Sequence, residues 1–347
     1  MSIPIQNIYH LLTYAWDELE AAEQVGVTAE PEEGLLELLT RVLLQGTTHV
    51  LKRGLSREYV GQEELTGRIR GKLLLADSVR QNTLPKAQAW CAFDELSHDI
   101  LPNRLLKATL HRLLYTQELN RELAVSLRAS YQRLGDVALV PVRDLRLFDQ
   151  VRLQRNTAHY GLLLSVCRLV HEQALVSEQN GTQLFQDFVR DEARMAGLFE
   201  QFVRNFYRRR QQHFTVKSER LRWALTPAND ESADVLPTMQ TDVSLTAPNR
   251  KIILDCKYYQ QALIRRHNRE RIISTHLYQI YAYLQHGQPT GNPVPLEAVL
   301  LYPVTEQSYH YSYLVQDTPH RMRVETVNLD QPWRAVEREL LTIVGLT

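Results

Sequence analysis

Two alternating apolar segments flank a short turn in the second half of the chain, and each segment carries an aspartate. They are MQTDVSLT (239–246) and KIILDCKYY (251–259), joined by APNR (247–250). Alternation with a period of two predicts β-strands, and Pro-Asn in the connection favours a type I turn inside a four-residue loop. The sequence therefore predicts a β-hairpin.

The register of this hairpin decides which residues face each other. If Thr246 pairs with Lys251, then Asp242 lies directly opposite Asp255. Facing carboxylates have Cβ atoms about 4.5–5.5 Å apart and repel each other. Lys257, on the same face, offsets part of this repulsion, and a divalent cation would offset the rest. The alternative is a surface trio of two aspartates and one lysine without a metal.

Paired carboxylates are the ligands of a hard cation. Mg²⁺ keeps several waters and needs only one or two protein carboxylates plus a substrate phosphate. The main-chain carbonyl of Cys256 is a further candidate ligand. The hairpin thus predicts a Mg²⁺ site, with Mn²⁺ as the alternative ion.

Composition indicates a globular chain without a general affinity for polyanions. The 347 residues, 44% of them hydrophobic, are enough for two domains with separate cores. Forty basic and forty acidic residues give a formal charge of zero, so no net field attracts DNA or a membrane. The three cysteines form no CxxC pair, which argues against a cysteine-rich zinc site. We expect a cytoplasmic protein, because neither a signal peptide nor a membrane-spanning apolar run is evident.

The pattern of the chain changes near Gln154. Before this point, helical spacing alternates with glycine-punctuated strand signals. After it come an amphipathic helix at 191–210, three strand segments, a helix at 274–286 and a buried strand. We predict a mixed α/β protein with an N-terminal α+β domain at 1–155. The C-terminal domain, at 156–347, is predicted to carry helices on the faces of a mixed sheet.

Short motifs in the C-terminal half resemble those of a nuclease superfamily. Asp242, followed by Asp255-Cys256-Lys257 at a strand end, resembles the PD-(D/E)xK motif. Gln279 and Tyr283 are similar to the QxxxY helix motif of its RecB-like branch. Thr241 stands where the motif often has proline, a departure that removes no metal ligand.

The order of segments over almost the whole chain makes the resemblance more specific than the superfamily. The chain resembles the McrC family, the nuclease subunits of McrBC-type restriction systems that depend on modified (5-methylcytosine) DNA. The segments that carry this resemblance are, in order, NIYHLLTYAW, FDELSHDILPNRLLKATL, LFEQFV, TDVSL, ILDCKYY and LYQIYAYL.

This resemblance implies a restriction-endonuclease-like PD-(D/E)xK core and a Mg²⁺-dependent endodeoxyribonuclease. Asp242 and Asp255 would be catalytic metal ligands, and Glu200 would complete the metal shell from its helix. The alternative for Glu200 is an exposed carboxylate at a helix edge. Lys257 would orient the attacking water or stabilise transition-state charge, while a role as general base would need a large downward pKa shift.

The resemblance also implies partners. A separate McrB-like AAA+ GTPase hexamer would bind GTP and read modified cytosine in double-stranded DNA, while the N-terminal domain docks into its ring and stimulates GTP hydrolysis. The chain itself is not expected to bind nucleotide, because GRIRGKL (67–73) departs from the Walker spacing. Arg68, Arg70 and Lys72 would suit an acidic ring lumen if they alternate on one strand face, and a solvated face is the alternative.

Four residues are candidates for contact with DNA. Gln279 and Tyr283 project from one side of their helix, so they could contact phosphate or orient the lysine. A hydrogen-bonded pair between helix and sheet is the alternative. Arg265 and Arg266 belong to a basic run that could neutralise phosphates, although such runs are also common on solvated surfaces.

Two other functions stay open at this point. One is a non-catalytic adaptor that activates an AAA+ ring, and the other is a stand-alone DNA repair nuclease. The presence of Asp242, Asp255 and Lys257 together favours the endonuclease, because a scaffold has no need of them.

Overall fold

In the computed structural model, the first helix of the chain packs with the C-terminal half. One unit, here the core unit, comprises Met1–Ala22, Thr28–Leu35 and Phe185–Thr347. The other, here the insert unit, comprises Glu23–Val27 and Leu36–Leu184. The structure describes residues 3–27, 29, 33–116, 119–155, 157–180, 188–223, 225, 235–258, 263–266, 269–287 and 294–346, without the side chains of 176–180, 190, 263–266, 269 and 270.

Eleven α-helices occur in the described residues. They are α1 (Ile5–Ala15), α2 (Leu19–Val25), α3 (Leu35–Arg53), α4 (Leu75–Arg80), α5 (Leu101–Leu114), α6 (Arg121–Gln132), α7 (Arg146–Asp149), α8 (Gly161–Asn180), α9 (Glu192–Arg210), α10 (Ser274–His286) and α11 (Trp333–Ile343). Short 3₁₀ turns lie at Leu84–Lys86, Ala158–Tyr160 and Phe188–Arg190. None of the described helices is long and apolar enough to cross a bilayer.

The described strands form one large sheet and three small ones. They are β1 (Glu58–Thr66), β2 (Lys72–Leu73), β3 (Ala89–Ser97), β4 (Thr215–Lys217), β5 (Arg220–Leu221), β6 (Met239–Gln240), β7 (Val243–Ala247), β8 (Arg250–Cys256), β9 (Leu263–Arg266), β10 (Arg269–Ile272), β11 (Leu296–Pro303), β12 (His310–Leu314) and β13 (Arg321–Val327). The large sheet has the order β12-β13-β11-β8-β7-β4.

The large sheet is mixed, as the sequence predicted. Strand β11 runs parallel to both β8 and β13. The other pairs are antiparallel: β7 with β8, β4 with β7, and β12 with β13. Sequence reasoning ended the domain with the strand that is now β11. It missed β12, β13 and α11, so the sheet is wider than expected.

The two compact units do not follow the predicted division between residues 155 and 156. Helix α8 belongs to the insert unit, where it packs on α5. It also lies close to α3, because a Cβ added at Gly46 would be 2.3 Å from Leu163 Cδ2. The Tyr160 hydroxyl donates to Asn103 Oδ1 at 2.7 Å within the same unit. These contacts join segments that are far apart in sequence, so composition near Gln154 did not reveal them.

Helix α1 belongs to the core unit because its polar groups are satisfied there. Asn7 Nδ2 donates to the carbonyls of Leu329 and Gln331 at 2.8 Å each. At the other end, buried Asn205 of α9 donates to the carbonyls of Tyr14 and Ala15 at 2.9 and 3.1 Å. Both ends of the helix are therefore held by residues from the C-terminal half.

Strand β8 lies at the centre of the sheet with helices on both faces. On one face, Ile253 shares a cluster with Ile280 and Leu284 of α10. On the other, α9 contacts β7 and β8. Gly287 ends α10 against the sheet, since a Cβ there would lie 2.6 Å from Ile253 Cδ1. Residues 251–256 are consequently all buried.

Asn205→Ala is expected to lower the free energy of unfolding by about 1–3 kcal/mol, because it removes the amide that donates to the carbonyls of both Tyr14 and Ala15 at the end of α1. The shift in urea midpoint, followed by circular dichroism, measures this. Gln201→Ala, an exposed change on the same helix, is the matched control. Equal midpoints for the two variants would show that Asn205 does not hold α1.

Candidate active site

The hairpin forms in the predicted register. Thr246 pairs with Lys251, and the ladder runs from Ala247 opposite Arg250 to Val243 opposite Leu254. Because Ala247 and Arg250 themselves pair, the loop contains two residues rather than the expected four. Asp242 stands one position beyond the last pair of the ladder.

The first strand of the hairpin separates from β8 at Thr241, which the sequence marks only as a departure from a motif. Its N–H donates to Glu219 O at 2.9 Å, and its hydroxyl accepts from Glu219 N at the same distance. Proline could not make the first bond, because it lacks an N–H. Thr241 is fully buried, so it anchors the point at which the strands separate.

Separation of the strands gives Asp242 a structural partner. Cys256 N–H donates to Asp242 Oδ2 at 2.7 Å, so a side chain replaces the main-chain acceptor that a continued ladder would have supplied. The Cys256 thiol is buried, and burial raises its pKa well above the ordinary value. The Cys256 thiol is therefore not a candidate metal ligand. The sequence-based prediction concerned only the main-chain carbonyl of Cys256.

Asp255 is fully buried, although the sequence pattern predicted an exposed sheet face. Helix α10 covers that face. Lys257 Nζ forms an ion pair with Asp255 Oδ2 at 2.9 Å, but neither Asp255 oxygen accepts a well-aligned hydrogen bond among the described residues. A buried carboxylate oxygen without a partner is costly, and a cation bound at Asp255 would offset this cost.

Lys257 is held by a chain of hydrogen bonds that runs through two side chains of α10. Its Nζ donates to Gln279 Oε1 at 3.0 Å, and Gln279 Nε2 donates to the Tyr283 hydroxyl at 2.8 Å. That hydroxyl donates to Gln240 O at 2.8 Å. Burial raises the pKa of Tyr283 to about 12, so it stays a donor. Of the two roles predicted for Gln279 and Tyr283, orientation of the lysine accounts for these bonds.

The carboxylates of this site repel each other. Burial raises the pKa of Asp242 above its ordinary value, and the charges of Asp255 and Glu200 raise it further. Burial also raises the pKa of Asp255, and the Lys257 charge only partly opposes this. The site therefore favours any added positive charge.

Glu200 is close enough to influence both aspartates, but its own side chain is engaged elsewhere. Arg204, one turn along α9, donates to Glu200 Oε1 at 2.7 Å. Within the described residues, no three His, Cys, Asp or Glu side chains converge closely enough to hold a metal ion. A cation here would thus rest on Asp242 and Asp255, a number that fits Mg²⁺ with its retained waters.

Helix α10 also carries His276. It is buried on α10, with Nδ1 2.8 Å from the Tyr302 hydroxyl. Burial, and then the charge of Lys257, lower the pKa of His276 to about 4, so the ring is neutral near the lysine. No spacing rule in the sequence relates His276 to Tyr302.

The predicted partner-contact residues do not alternate on one strand. Strand β1 ends at Thr66, and Arg68 and Arg70 lie in the exposed connection to β2, of which Lys72 is the first residue. The Arg70 guanidinium contacts Glu64 and stacks 3.6 Å from the Phe93 ring centroid. Glycine at 67 and 71 favours this connection over a continuous strand.

Arg265 and Arg266, predicted to contact DNA, lie at the end of β9. Their side chains are outside the described part of the structure. Their role stays a prediction.

A family model supplies the identification. The model, described as a McrBC 5-methylcytosine restriction system component, matches residues 6–303. The chain belongs to this McrBC family. The match covers most of the core unit and all of the insert unit, so it is not confined to the short PD-(D/E)xK-like motif.

Two similar proteins agree with membership of the McrBC family. The chain is 30% identical over 341 residues to the type IV methyl-directed restriction enzyme EcoKMcrBC of Escherichia coli strain K12, covering 98% of this chain and 97% of the relative. It also resembles a chain in a half-complex from a tetradecameric assembly of Thermococcus gammatolerans McrB AAA+ hexamers with bound McrC. That likeness has a TM-score of 0.59 and 18% identity, covers 98% of this chain and 76% of the other, and shows a shared fold. The resemblance to McrC predicted from sequence is confirmed.

Tyr283→Phe is expected to lower the free energy of unfolding by about 1–2 kcal/mol, because the Gln240 carbonyl and the Gln279 amide both lose the hydroxyl to which they are hydrogen-bonded. Tyr278→Phe removes the same atom from an exposed position on α10 and is the matched control. Urea unfolding of both variants measures the difference. Equal effects would mean that the hydroxyl of Tyr283 does not anchor the chain that holds Lys257.

Proposed function

We propose that the chain is a Mg²⁺-dependent endodeoxyribonuclease that acts as a subunit of a GTP-dependent, methylation-dependent restriction complex. The observation that carries this proposal is the buried Asp255 carboxylate, which pairs with Lys257 but accepts no well-aligned hydrogen bond at either oxygen among the described residues. Asp242 lies beside it, held by the Cys256 N–H. Membership of the McrBC family and the relative from Escherichia coli support the same function.

The core unit supports assignment to the PD-(D/E)xK superfamily. An antiparallel hairpin continues into a parallel pair at β8 and β11, with one helix on each face. The acidic residues stand where the hairpin strands separate, and Lys257 follows directly after β8. This is the arrangement that the motif of two acids and a lysine requires.

Each residue of the site has a distinct role in phosphodiester hydrolysis. Asp242 and Asp255 would hold Mg²⁺, which when bound supplies Lewis-acid stabilisation of phosphate charge and an activated water. Lys257 directs its ammonium group toward the scissile phosphate or the water, because Asp255 and Gln279 fix it from two sides. Gln279 and Tyr283 hold the lysine and do not need to touch DNA.

The insert unit is proposed to bind a McrB-like AAA+ GTPase hexamer and to stimulate its GTP hydrolysis. The Thermococcus gammatolerans assembly contains McrB hexamers with bound McrC, which supports this partner. The connection from Gly67 to Lys72 is exposed throughout and carries three cations around Ile69, which is 70% exposed. Such a projection suits a ring with acidic groups. GTP and the modified cytosine would be bound by the partner.

Asp255→Asn is expected to lower GTP-dependent cleavage of methylated duplex DNA by at least about a hundredfold, because the remaining ligand set lacks a metal-binding charge. Partner-stimulated GTP hydrolysis by the same complex should stay within about twofold, since docking is assigned to the insert unit. Asp317→Asn, at an exposed turn with φ 59°, is a matched control that asparagine tolerates.

The combined assay also separates the alternative functions. Undiminished cleavage in Asp255→Asn would assign nuclease activity to another site or protein and favour the adaptor. Cleavage by the purified chain without the ring and GTP would favour a stand-alone nuclease. Loss of GTPase stimulation together with cleavage would contradict separate roles for the two units.

Metal binding should be visible without any cleavage assay. Millimolar Mg²⁺ or Mn²⁺ is expected to raise the melting temperature of the chain, because the cation binds the folded site and relieves carboxylate repulsion. Asp242→Asn should be at least as stable as the parent in chelator, since an asparagine oxygen can still accept from Cys256 N–H. The variant should gain less on addition of metal. Equal metal-induced shifts in parent and variant would show that Asp242 is not a ligand.

A further inference from the structure

The segment 215–223, here the basic segment, runs directly beside the strand that leads into Asp242. In its strand β5, Arg220 pairs with Gln240, two residues before Asp242. On the other side of Asp242, Lys217 at the end of β4 pairs with the second residue of β7. The Cα atoms of both cations consequently lie about 8–10 Å from that of Asp242.

Hydrogen bonds and apolar packing fix the basic segment in this position. Ser218 Oγ donates to Thr241 O at 2.6 Å, and Gln240 Nε2 donates to Ser218 Oγ at 3.0 Å. Leu221 and Trp223 pack against the apolar cluster that α10 forms with the sheet. The segment therefore cannot shift without breaking these contacts.

The outward-facing charge of the basic segment is entirely positive. Lys217, Arg220 and Arg222 are exposed, and no acidic side chain among the described residues pairs with any of them. Glu219 is the one acidic residue of the segment, and its Oε2 lies 2.7 Å from Nζ of the buried Lys251. Because this acid is engaged with a buried lysine, it does not offset the three exposed cations.

We propose that Lys217, Arg220 and Arg222 bind phosphates of the DNA strand beside the scissile phosphodiester, an inference that rests on the proposed nuclease function. A phosphodiester held at Asp242 and Asp255 brings its neighbouring phosphates to the surface next to the site, where these cations lie. The three are positioning residues, because they act on phosphates other than the reacting one.

Contacts of this kind suit the proposed division of labour in the complex. Bonds to the phosphate backbone fix the register and orientation of DNA without reading its sequence. The partner ring is proposed to recognise the modified base, so the nuclease subunit needs to hold DNA of any sequence. The basic segment supplies cations for this purpose on a rigid support.

Salt dependence of DNA binding measures phosphate contacts directly. The whole chain has a formal charge of zero, so binding of DNA depends on local groups rather than on a general field. Each phosphate that a cation neutralises adds about 0.9 to the slope of log affinity against log salt concentration. Loss of two contacts should therefore lower this slope by about two.

Fluorescence anisotropy of the full-length chain with a labelled, unmethylated duplex in chelator tests the proposal. The double variant Arg220→Gln/Arg222→Gln is expected to bind at least about tenfold more weakly at low salt, with a slope lower by about two. Arg220→Lys/Arg222→Lys should keep the parent slope, because lysine retains the charge. Arg334→Gln/Arg338→Gln is the matched control, since it removes the same charge from exposed positions of α11, which packs against α9.

Equal affinities and slopes for the two glutamine variants would overturn the proposal, as would a parent chain that binds no duplex. Loss of ring binding in Arg220→Gln/Arg222→Gln with an unchanged slope would assign the segment to the protein partner instead. Chelator prevents Mg²⁺-dependent cleavage, so the nuclease proposal is tested separately. Segment-dependent binding by a chain that fails to cleave in the complex would reject the reaction and keep the phosphate contacts.

Photo-cross-linking locates the DNA on the surface. The three native cysteines are buried, so Arg222→Cys adds an accessible thiol for a photoreactive label. The labelled variant should cross-link to the duplex, whereas Arg334→Cys with the same label should not. Equal cross-linking yields at the two positions would contradict DNA binding along the basic segment.

Discussion

The structure around the site depends on the cost of placing the Asp255 carboxylate inside a central strand. A charge without access to water must be compensated by nearby groups, or it is lost to protonation. Lys257 supplies one contact, and Gln279 and Tyr283 extend from it to the Gln240 carbonyl. Helix α10 thus covers the carboxylate and also supplies the groups that fix its counter-ion.

A second requirement is that the hairpin strands separate at the correct residue. Thr241 turns its N–H to Glu219, and the ladder with β8 therefore ends at Val243. Asp242 then replaces a main-chain acceptor for Cys256 N–H, which fixes its carboxylate near Asp255. Threonine at 241 serves this separation through bonds that proline, common in the motif, cannot make. The departure from the motif is compensated by local hydrogen bonding.

Sequence predicted the parts of the site that depend on local geometry. The hairpin register follows from the turn, and the alignment of Gln279 with Tyr283 follows from helical spacing. Burial of Asp255 could not be predicted, since Asp255 in β8 and Lys257 directly after it show the alternation of a half-exposed strand, while α10 covers that face. The two units were also missed, because they are defined by contacts such as Asn7 with Leu329 rather than by a change in composition.

The position of α1 has a consequence for how the chain folds during synthesis. Asn7 is separated by 322 residues from its partner Leu329, so the core unit cannot be completed until Leu329 has left the ribosome. The insert unit has all of its segments available much earlier, and domains generally fold as units in order of emergence. During this interval helix α1, with Ile8, Leu11 and Leu12 on its apolar face, lacks the residues of the C-terminal half on which it packs. Exposed apolar surface of this kind is what general chaperones bind, so the discontinuous core unit makes the nascent chain a candidate client.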